Sequence, residues 1–92
     1  RYPALLFLHD AGRKHDQFLG EAVALARSAT PVVSLLIDAP ASRPAGWRRN
    51  YNPTVENNDR NICIQAVVDA RIGLEVLAAR KDVDAARMAV VG

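Results

Sequence analysis

Leu5-Leu6-Phe7-Leu8 decides how this chain folds, because four large apolar residues stand together with no polar residue between them. A strand with that pattern is covered on both faces, as in parallel sheets flanked by helices. Two further runs, residues 32–37 with Ser34 as their one polar residue and residues 88–91, likewise show no polar alternation. We therefore predict three parallel strands, at residues 4–8, 32–37 and 87–91.

The first segment between the strands shows the apolar spacing of a helix. In residues 16–29, four apolar side chains recur at i, i+3, i+4 and i+7, which predicts one apolar stripe. They are Leu19, Ala22, Val23 and Ala26. Asp16 can cap the start of this helix, and Thr30-Pro31 ends it.

The second predicted helix covers residues 59–80 and combines an apolar stripe with small residues. The stripe consists of Cys63, Val67, Ala70, Leu74, Leu77 and Ala78. Ala66, Ala70 and Gly73 are small enough for the helix to lie close on the sheet. Gly73 costs about 1 kcal/mol of helix propensity relative to alanine, and close packing of the helix on the sheet explains why a glycine stands there. Cys63 is expected to be a small core residue.

The order of these elements, β-α-β-α-β, predicts an α/β fold. Crossovers between parallel strands are right-handed, so two helices on opposite faces require the first strand to lie between the other two. The expected architecture is three-layered, with a parallel sheet in the order 2-1-3 and helices on both faces. That order creates a topological switch point at the carboxyl end of the first strand, where open α/β sheets bind ligands. Residues 9–12 lie there.

Length and composition limit the class of protein. With 92 residues, 50% of them hydrophobic and 24% charged, the chain has the profile of a globular domain or part of one. A net charge of +2 is too small to indicate nucleic-acid binding, although Arg43, Arg48 and Arg49 are clustered. The single cysteine excludes an internal disulfide and a cysteine zinc site.

The second half of the chain resembles a known family. The matching positions are Asp69-Ala70-Arg71, Leu77 and residues 82–92. They are similar to the segment before the nucleophile elbow, G-x-S-x-G, in α/β-hydrolases of the dienelactone hydrolase, acetyl esterase and prolyl oligopeptidase-like branch. There a D-x-D-x-x-R-[I/M] turn leads into the central strand. Asp84 matches the second acid of that turn and Gly92 the first glycine of the elbow. Such an aspartate can cap local amides and pair with Arg87.

The first half resembles the same enzymes. Residues 5–12 are similar to the strand and the H-G-x-x oxyanion loop of this family. The resemblance implies that Ala11 donates a backbone amide to the oxyanion hole and that His9 and Gly12 belong to the loop. Asp10 replaces the usual glycine of the family. From the residues alone, His9 is expected to be a hydrogen-bonded structural residue, and Asp10 to act at the start of the helix.

The implied function is that of a serine hydrolase fragment, acting on ester or related acyl bonds of a small molecule with neither metal nor cofactor. The nucleophile, acid and base would follow Gly92, so residues 1–92 form a partial domain without a triad and the isolated chain is expected to be inactive. Ser28, Ser34, Ser42 and His15 have no matching context. Trp47 and Tyr51, in the long loop after the second strand, either line a substrate cleft or pin that loop to the domain.

Partners and location follow from the same observations. We expect neither a membrane nor a nucleic acid as partner, because no apolar run approaches the roughly 20 residues of a membrane span and the net charge is small. The sequence opens on Arg1 and enters a strand at once, so we expect a missing N-terminal segment. The cytoplasm is the expected location.

Two other classes of function stay open. A non-catalytic α/β binding or interaction module would share the fold, because fold alone does not fix function. Nucleotide binding is suggested by Asp38 at the end of the second strand, where dinucleotide-binding folds keep a ribose-binding acid. The first strand is not followed by G-x-G-x-x-G, so Asp38 is expected to cap or position the long loop instead.

Overall fold

The computed structural model describes residues 1–10, 13–39 and 58–92, with the side chains of the last segment described from Cys63 onward. The strands are β1 (Tyr2–Leu8), β2 (Val33–Ile37) and β3 (Val83–Val91). The helices are α1 (Leu19–Ala26), preceded by a 3₁₀ helix at His15–Phe18, and α2 (Asn58–Ala78). β1 pairs in parallel with both other strands, and the sheet order is β2-β1-β3. The predicted α/β class and strand order are confirmed.

The middle strand β1 is covered on both faces, and its neighbouring side chains point alternately to the one and the other. Leu6 is fully buried in a cluster with Ala4, Leu77 and Val83 on the α2 side. The ring of Phe7 stacks on Phe18, with 5.3 Å between centroids. Phe18 belongs to the 3₁₀ helix, so the segment that leads into α1 covers the second face. The predicted three-layer arrangement is confirmed.

The close approach of α2 to the sheet depends on Gly73. A Cβ at that position would lie 3.2 Å from Cδ1 of Leu6 and 3.4 Å from Cδ2 of Leu35, which is tighter than ordinary van der Waals contact. A glycine inside a helix loses about 1 kcal/mol relative to alanine, and here the loss is offset by packing against two strands at once. The small residue therefore serves packing, as predicted.

β3 begins at Val83, four residues before the predicted start, and contains a large bulge. The β1–β3 register steps from Tyr2↔Val83 to Ala4↔Met88, so the β3 side has the longer path. Within the bulge, Oδ1 of Asp84 accepts the backbone N–H of Ala86 at 3.0 Å. Oδ2 of Asp84 accepts the Nε–H of Arg87 at 2.8 Å. The predicted contacts of Asp84 with a local amide and with Arg87 are confirmed.

The predicted cap of the first helix is wrong. Asp16 lies inside the 3₁₀ helix, and neither Lys14 before that helix nor Phe18 before α1 gives a side-chain cap. The extra 3₁₀ turn shortens α1 to eight residues. The predicted stripe is correspondingly incomplete, because Ala22 is buried but Leu19 and Val23 are largely exposed.

The expected burial of Cys63 is also wrong, since this side chain is exposed. Leu77 packs in the same cluster as Ala4, and β1 runs only about 13 Å further, to Leu8. Cys63 lies about 21 Å from Leu77 along the helix, beyond the end of the sheet. The helix is longer than the strands it covers, and the spacing of apolar residues does not reveal where the sheet beneath the helix ends.

We predict that Ser34→Ala raises the free energy of unfolding by about 1 kcal/mol, because it removes a buried polar atom that has lost its water. Among the described residues, Oγ of Ser34 is the buried side-chain oxygen without a hydrogen-bond partner. Urea unfolding followed by circular dichroism measures the change. Ser28→Ala is the matched control, because Oγ of Ser28 lies 2.8 Å from the carbonyl oxygen of Leu25. That variant should lose stability, and a loss for Ser34→Ala as well would contradict the prediction.

Candidate functional site

The carboxyl edge of the sheet gathers the polar residues that follow β1 and β2. Leu8 and Ile37 are register partners at the ends of these strands, so His9-Asp10 and Asp38-Ala39 lie side by side. This is the switch point of the β2-β1-β3 order. Four of the residues assigned to the site from the sequence fall outside the described residues. They are Ala11, Gly12, Trp47 and Tyr51.

His9 joins the ends of the two strands through its ring. Its Nε2 accepts the backbone N–H of Ala39 at 2.8 Å, and an acceptor nitrogen carries no proton. The proton is therefore on Nδ1, which donates to the carbonyl oxygen of Asp10 at 2.8 Å. Both ring nitrogens are bonded to backbone, so neither is left for proton transfer. His9 holds the segment after β1 against the segment after β2.

Asp10 is held from the other side by Gln17 of the 3₁₀ helix. The Oε1 of Gln17 accepts the backbone N–H of Asp10 at 2.6 Å, and its Nε2 donates to Oδ2 of Asp10 at 2.7 Å. The carbonyl oxygen of Asp10 also accepts the N–H of Arg13 at 3.0 Å. The backbone amide of Asp10 is thus already used, so it does not point toward a ligand. The carboxylate acts where the helix begins, in agreement with the interpretation from the residues alone.

A histidine–aspartate pair lies at the same edge. Oδ1 of Asp38 accepts the backbone N–H of His15 at 2.6 Å and lies 2.9 Å from Nδ1 of the same residue. His15 therefore has a partner, contrary to the sequence interpretation, and Asp38 caps the start of the 3₁₀ helix as well as following β2. Burial by itself raises the pKa of Asp38, but the hydrogen bonds from His15 outweigh it, so this pKa lies below its ordinary value of 3.8.

We predict that Asp38→Asn lowers the free energy of unfolding by about 1.5 kcal/mol at neutral pH, because the charged acceptor of two hydrogen bonds is lost. The folded-state pKa is depressed, so the contribution of Asp38 is fully present above pH 3.8 and is lost as the pH falls below that value. Urea unfolding of both proteins along a pH series measures it. The two curves should converge in acid, and a difference that persists there contradicts the prediction.

A cavity of about 230 Å³ opens between the strand ends and the middle of α2. This is below the roughly 300–1,000 Å³ of pockets for drug-sized ligands, so it suits a short acyl or alkyl group. Most of its surface is apolar, and two carboxylates provide polar contacts. The lining residues are Leu8, His9, Ile37, Asp38, Ala39, Ala66 and Asp69. Oδ1 of Asp69 accepts the side-chain amide of Gln65 at 2.7 Å.

Gly92 brings the end of β3 to the same edge. A Cβ on Gly92 would lie 3.1 Å from Cβ of Leu8 and 3.3 Å from the carbonyl oxygen of Leu8. The second contact is with backbone, which cannot move aside as a flexible side chain can. A side chain at this position would therefore push β3 away from the end of β1. The position adjoins His9, which is the residue after Leu8.

Two contacts of the site could not be found by sequence reasoning. Gln17 reaches Asp10 across seven residues, and His15 reaches Asp38 across 23. Neither pair matches a local pattern such as a capping box, and the residues meet only because the 3₁₀ helix folds back over the strand ends. The available signal was that both aspartates follow apolar strands, Asp38 directly after β2 and Asp10 two residues after the end of β1.

The described residues contain no complete catalytic set. Oγ of Ser28 is within hydrogen-bond distance of the carbonyl oxygens of Leu25 and Thr30, and Ser34 lies within β2. Neither hydroxyl bonds to a histidine, and Ser42 is outside the described residues. Across residues 1–10, 13–39 and 58–92, no group of three or more His, Cys, Asp or Glu side chains is arranged to hold a metal ion.

Comparison with known proteins gave no match: no family model, no curated protein and no solved structure is similar to this chain. The resemblance to α/β-hydrolases therefore stays a prediction. Within the described part of the chain, no helix has the length and apolar character needed to cross a bilayer.

Proposed function

We propose that this chain is the part of a serine hydrolase that supplies the oxyanion loop and one wall of the substrate pocket. The nucleophilic serine would belong to the segment after Gly92, as the resemblance implies. The substrate class is a small-molecule ester or related acyl compound, with the cytoplasm as the expected location. The observation that carries the proposal is the contact between Gly92 and Leu8.

That contact supports the proposal because of what it brings together. With Gly92 against the carbonyl oxygen of Leu8, the next residue of the chain would enter the edge where His9 begins the loop of residues 9–12. In the proposal the nucleophile follows two residues later, and the resemblance assigns the amide that stabilises the oxyanion to Ala11. Acyl transfer needs these two groups close together, since the oxyanion forms within about 3 Å of its amide donors.

The bulge of β3 also supports the proposal. The bonds of Asp84 to the Ala86 amide and to Arg87 fix the path on which β3 enters the sheet. They use the same residues that match the D-x-D-x-x-R-[I/M] turn of the hydrolases. A one-residue slip of β3 would move every side chain to the other face of the sheet. The bulge thus fixes the register that brings Gly92 to Leu8.

The proposed reaction uses this chain for positioning and charge stabilisation. The serine oxygen attacks the ester carbonyl, and the alcohol leaves with a proton to give an acyl-enzyme. The Ala11 amide stabilises the negative charge that develops on the carbonyl oxygen, while His9 holds the loop through Ala39. Water then attacks the acyl group and releases the acid. The largely apolar cavity beside His9 would take a short acyl or alkyl group.

A burst experiment tests the proposal. The protein that contains this chain is mixed with p-nitrophenyl acetate, and release of p-nitrophenol is followed from the first milliseconds. Accumulation of an acyl-enzyme gives a burst of about one equivalent before the steady state. No turnover of esters with acyl chains from acetyl to butyryl would overturn the proposal and favour the non-catalytic binding module.

A further inference from the structure

The cavity at the carboxyl edge exists because α2 extends beyond the sheet. Gly73 lies against Leu6 and Leu35, so at that level the strands fill the space below the helix. Ala66 precedes Gly73 by seven residues, which places it on the same face of α2, about 20° away around the helix and about 10 Å nearer the carboxyl edge. That distance equals about three residues of a strand, so Ala66 lies beyond Leu8, where β1 has ended.

The lining of the cavity explains what the space can hold. Ala66 and Ala39 contribute small side chains, while Leu8 and Ile37 supply larger apolar surfaces. An apolar cavity of about 150 Å³ takes up one benzene molecule, which has six carbons. On that scale a cavity of about 230 Å³ has room for an alkyl chain of about eight carbons. A larger side chain in place of Ala66 would occupy part of this room.

We propose that this cavity binds one uncharged alkyl chain of up to about eight carbons, and that Ala66 sets this limit. The chain is then the acyl group of the ester, a step that rests on the proposed hydrolase function. Asp38 and Asp69 also line the cavity, and both already accept hydrogen bonds. Their negative charge disfavours an anionic ligand, and the apolar surface disfavours any charged group.

Titration of the whole protein that contains this chain with 1-octanol and with 1-butanol tests the proposal without any enzymatic reaction. Binding is followed by NMR through the methyl groups of Leu8, Ile37 and Ala39, which line the cavity. We expect saturable shifts with both alcohols. Ala66→Leu should weaken the binding of 1-octanol at least about tenfold and that of 1-butanol less than about threefold, because at least two methylene groups of the longer chain are displaced into water.

Ala78→Leu is the matched control for Ala66→Leu. It makes the same substitution in the same helix, but Ala78 is exposed and lies about 18 Å from Ala66 along α2. Leucine forms helices nearly as well as alanine, so both variants should fold, and circular dichroism verifies this. The control should bind both alcohols as the parent does. The absence of saturable shifts with 1-octanol would overturn the proposal, and so would equal weakening in the two variants.

Ester hydrolysis by the same variants separates this inference from the proposed function. Ala66→Leu should lower kcat/KM for p-nitrophenyl octanoate at least about tenfold relative to p-nitrophenyl butyrate, because only the longer acyl chain needs the space that leucine fills. Hydrolysis with an unchanged ratio would overturn the inference and leave the hydrolase function standing. Binding of the alcohols as expected, without hydrolysis of any ester, would overturn the hydrolase function and support the cavity as a site for an alkyl chain.

Discussion

Leu6→Ala is expected to lower the free energy of unfolding by about 3 to 5 kcal/mol. Leu6 is 0% exposed and lies in the middle strand, with its methyl groups under Gly73. Truncation removes apolar contacts from both the sheet and α2 and leaves a cavity, because a middle strand cannot move to fill it. The loss is a large share of the roughly 5–15 kcal/mol that stabilises a typical domain.

Urea unfolding of the same protein with Leu19→Ala provides the control for Leu6→Ala. Leu19 is the same residue type, but it is 52% exposed at the start of α1. Its truncation should cost less than about 1 kcal/mol, since most of the side chain already contacts water. Similar losses for the two variants would contradict the account of the core.

The proposed hydrolase function predicts that His9→Ala lowers kcat for ester hydrolysis by about 100-fold in the protein that contains this chain, with a much smaller change in KM. The imidazole bridges the Ala39 amide and the Asp10 carbonyl, so its loss frees Asp10, which directly precedes the residue to which the proposal assigns the oxyanion amide. An amide donor displaced by about 1 Å stabilises the transition state far less, while the ground-state ester is bound almost as before.

Two variants show whether the effect of His9→Ala arises from this bridge. His9→Gln retains a side-chain acceptor for the Ala39 amide and should recover part of kcat. His15→Ala removes a histidine from the same edge, yet its partner is Asp38 and not the oxyanion loop. It should change kcat by less than about threefold. A fall in kcat as large for His15→Ala as for His9→Ala would contradict the role given to His9.

The fold was predictable because its three strands, β1, β2 and β3, carry apolar runs that do not alternate with polar residues. This pattern is typical of strands in a parallel sheet, so the sequence itself indicates that class. The contacts of Asp84 and Arg87 were predictable because they lie only three residues apart. Residues so close in sequence have few other hydrogen-bond partners once the strands are known.

The errors have a common physical cause, which is tertiary packing that local patterns do not encode. Asp16 fits a helix cap, but the stacking of Phe18 on Phe7 accompanies an extra 3₁₀ turn that places Asp16 inside it. Cys63 has the right helical phase for burial, but the sheet ends before it. The His15–Asp38 pair joins the first residue of the 3₁₀ helix to the residue after β2, so neither residue alone indicated the other.

The most direct test of the proposed function is to label the protein that contains this chain with a fluorophosphonate and map the modified peptide. Such a probe reacts with an activated serine and spares ordinary hydroxyls. We expect one label, on a serine two residues after Gly92. The absence of a label, or a label on Ser28, Ser34 or Ser42, would contradict the account.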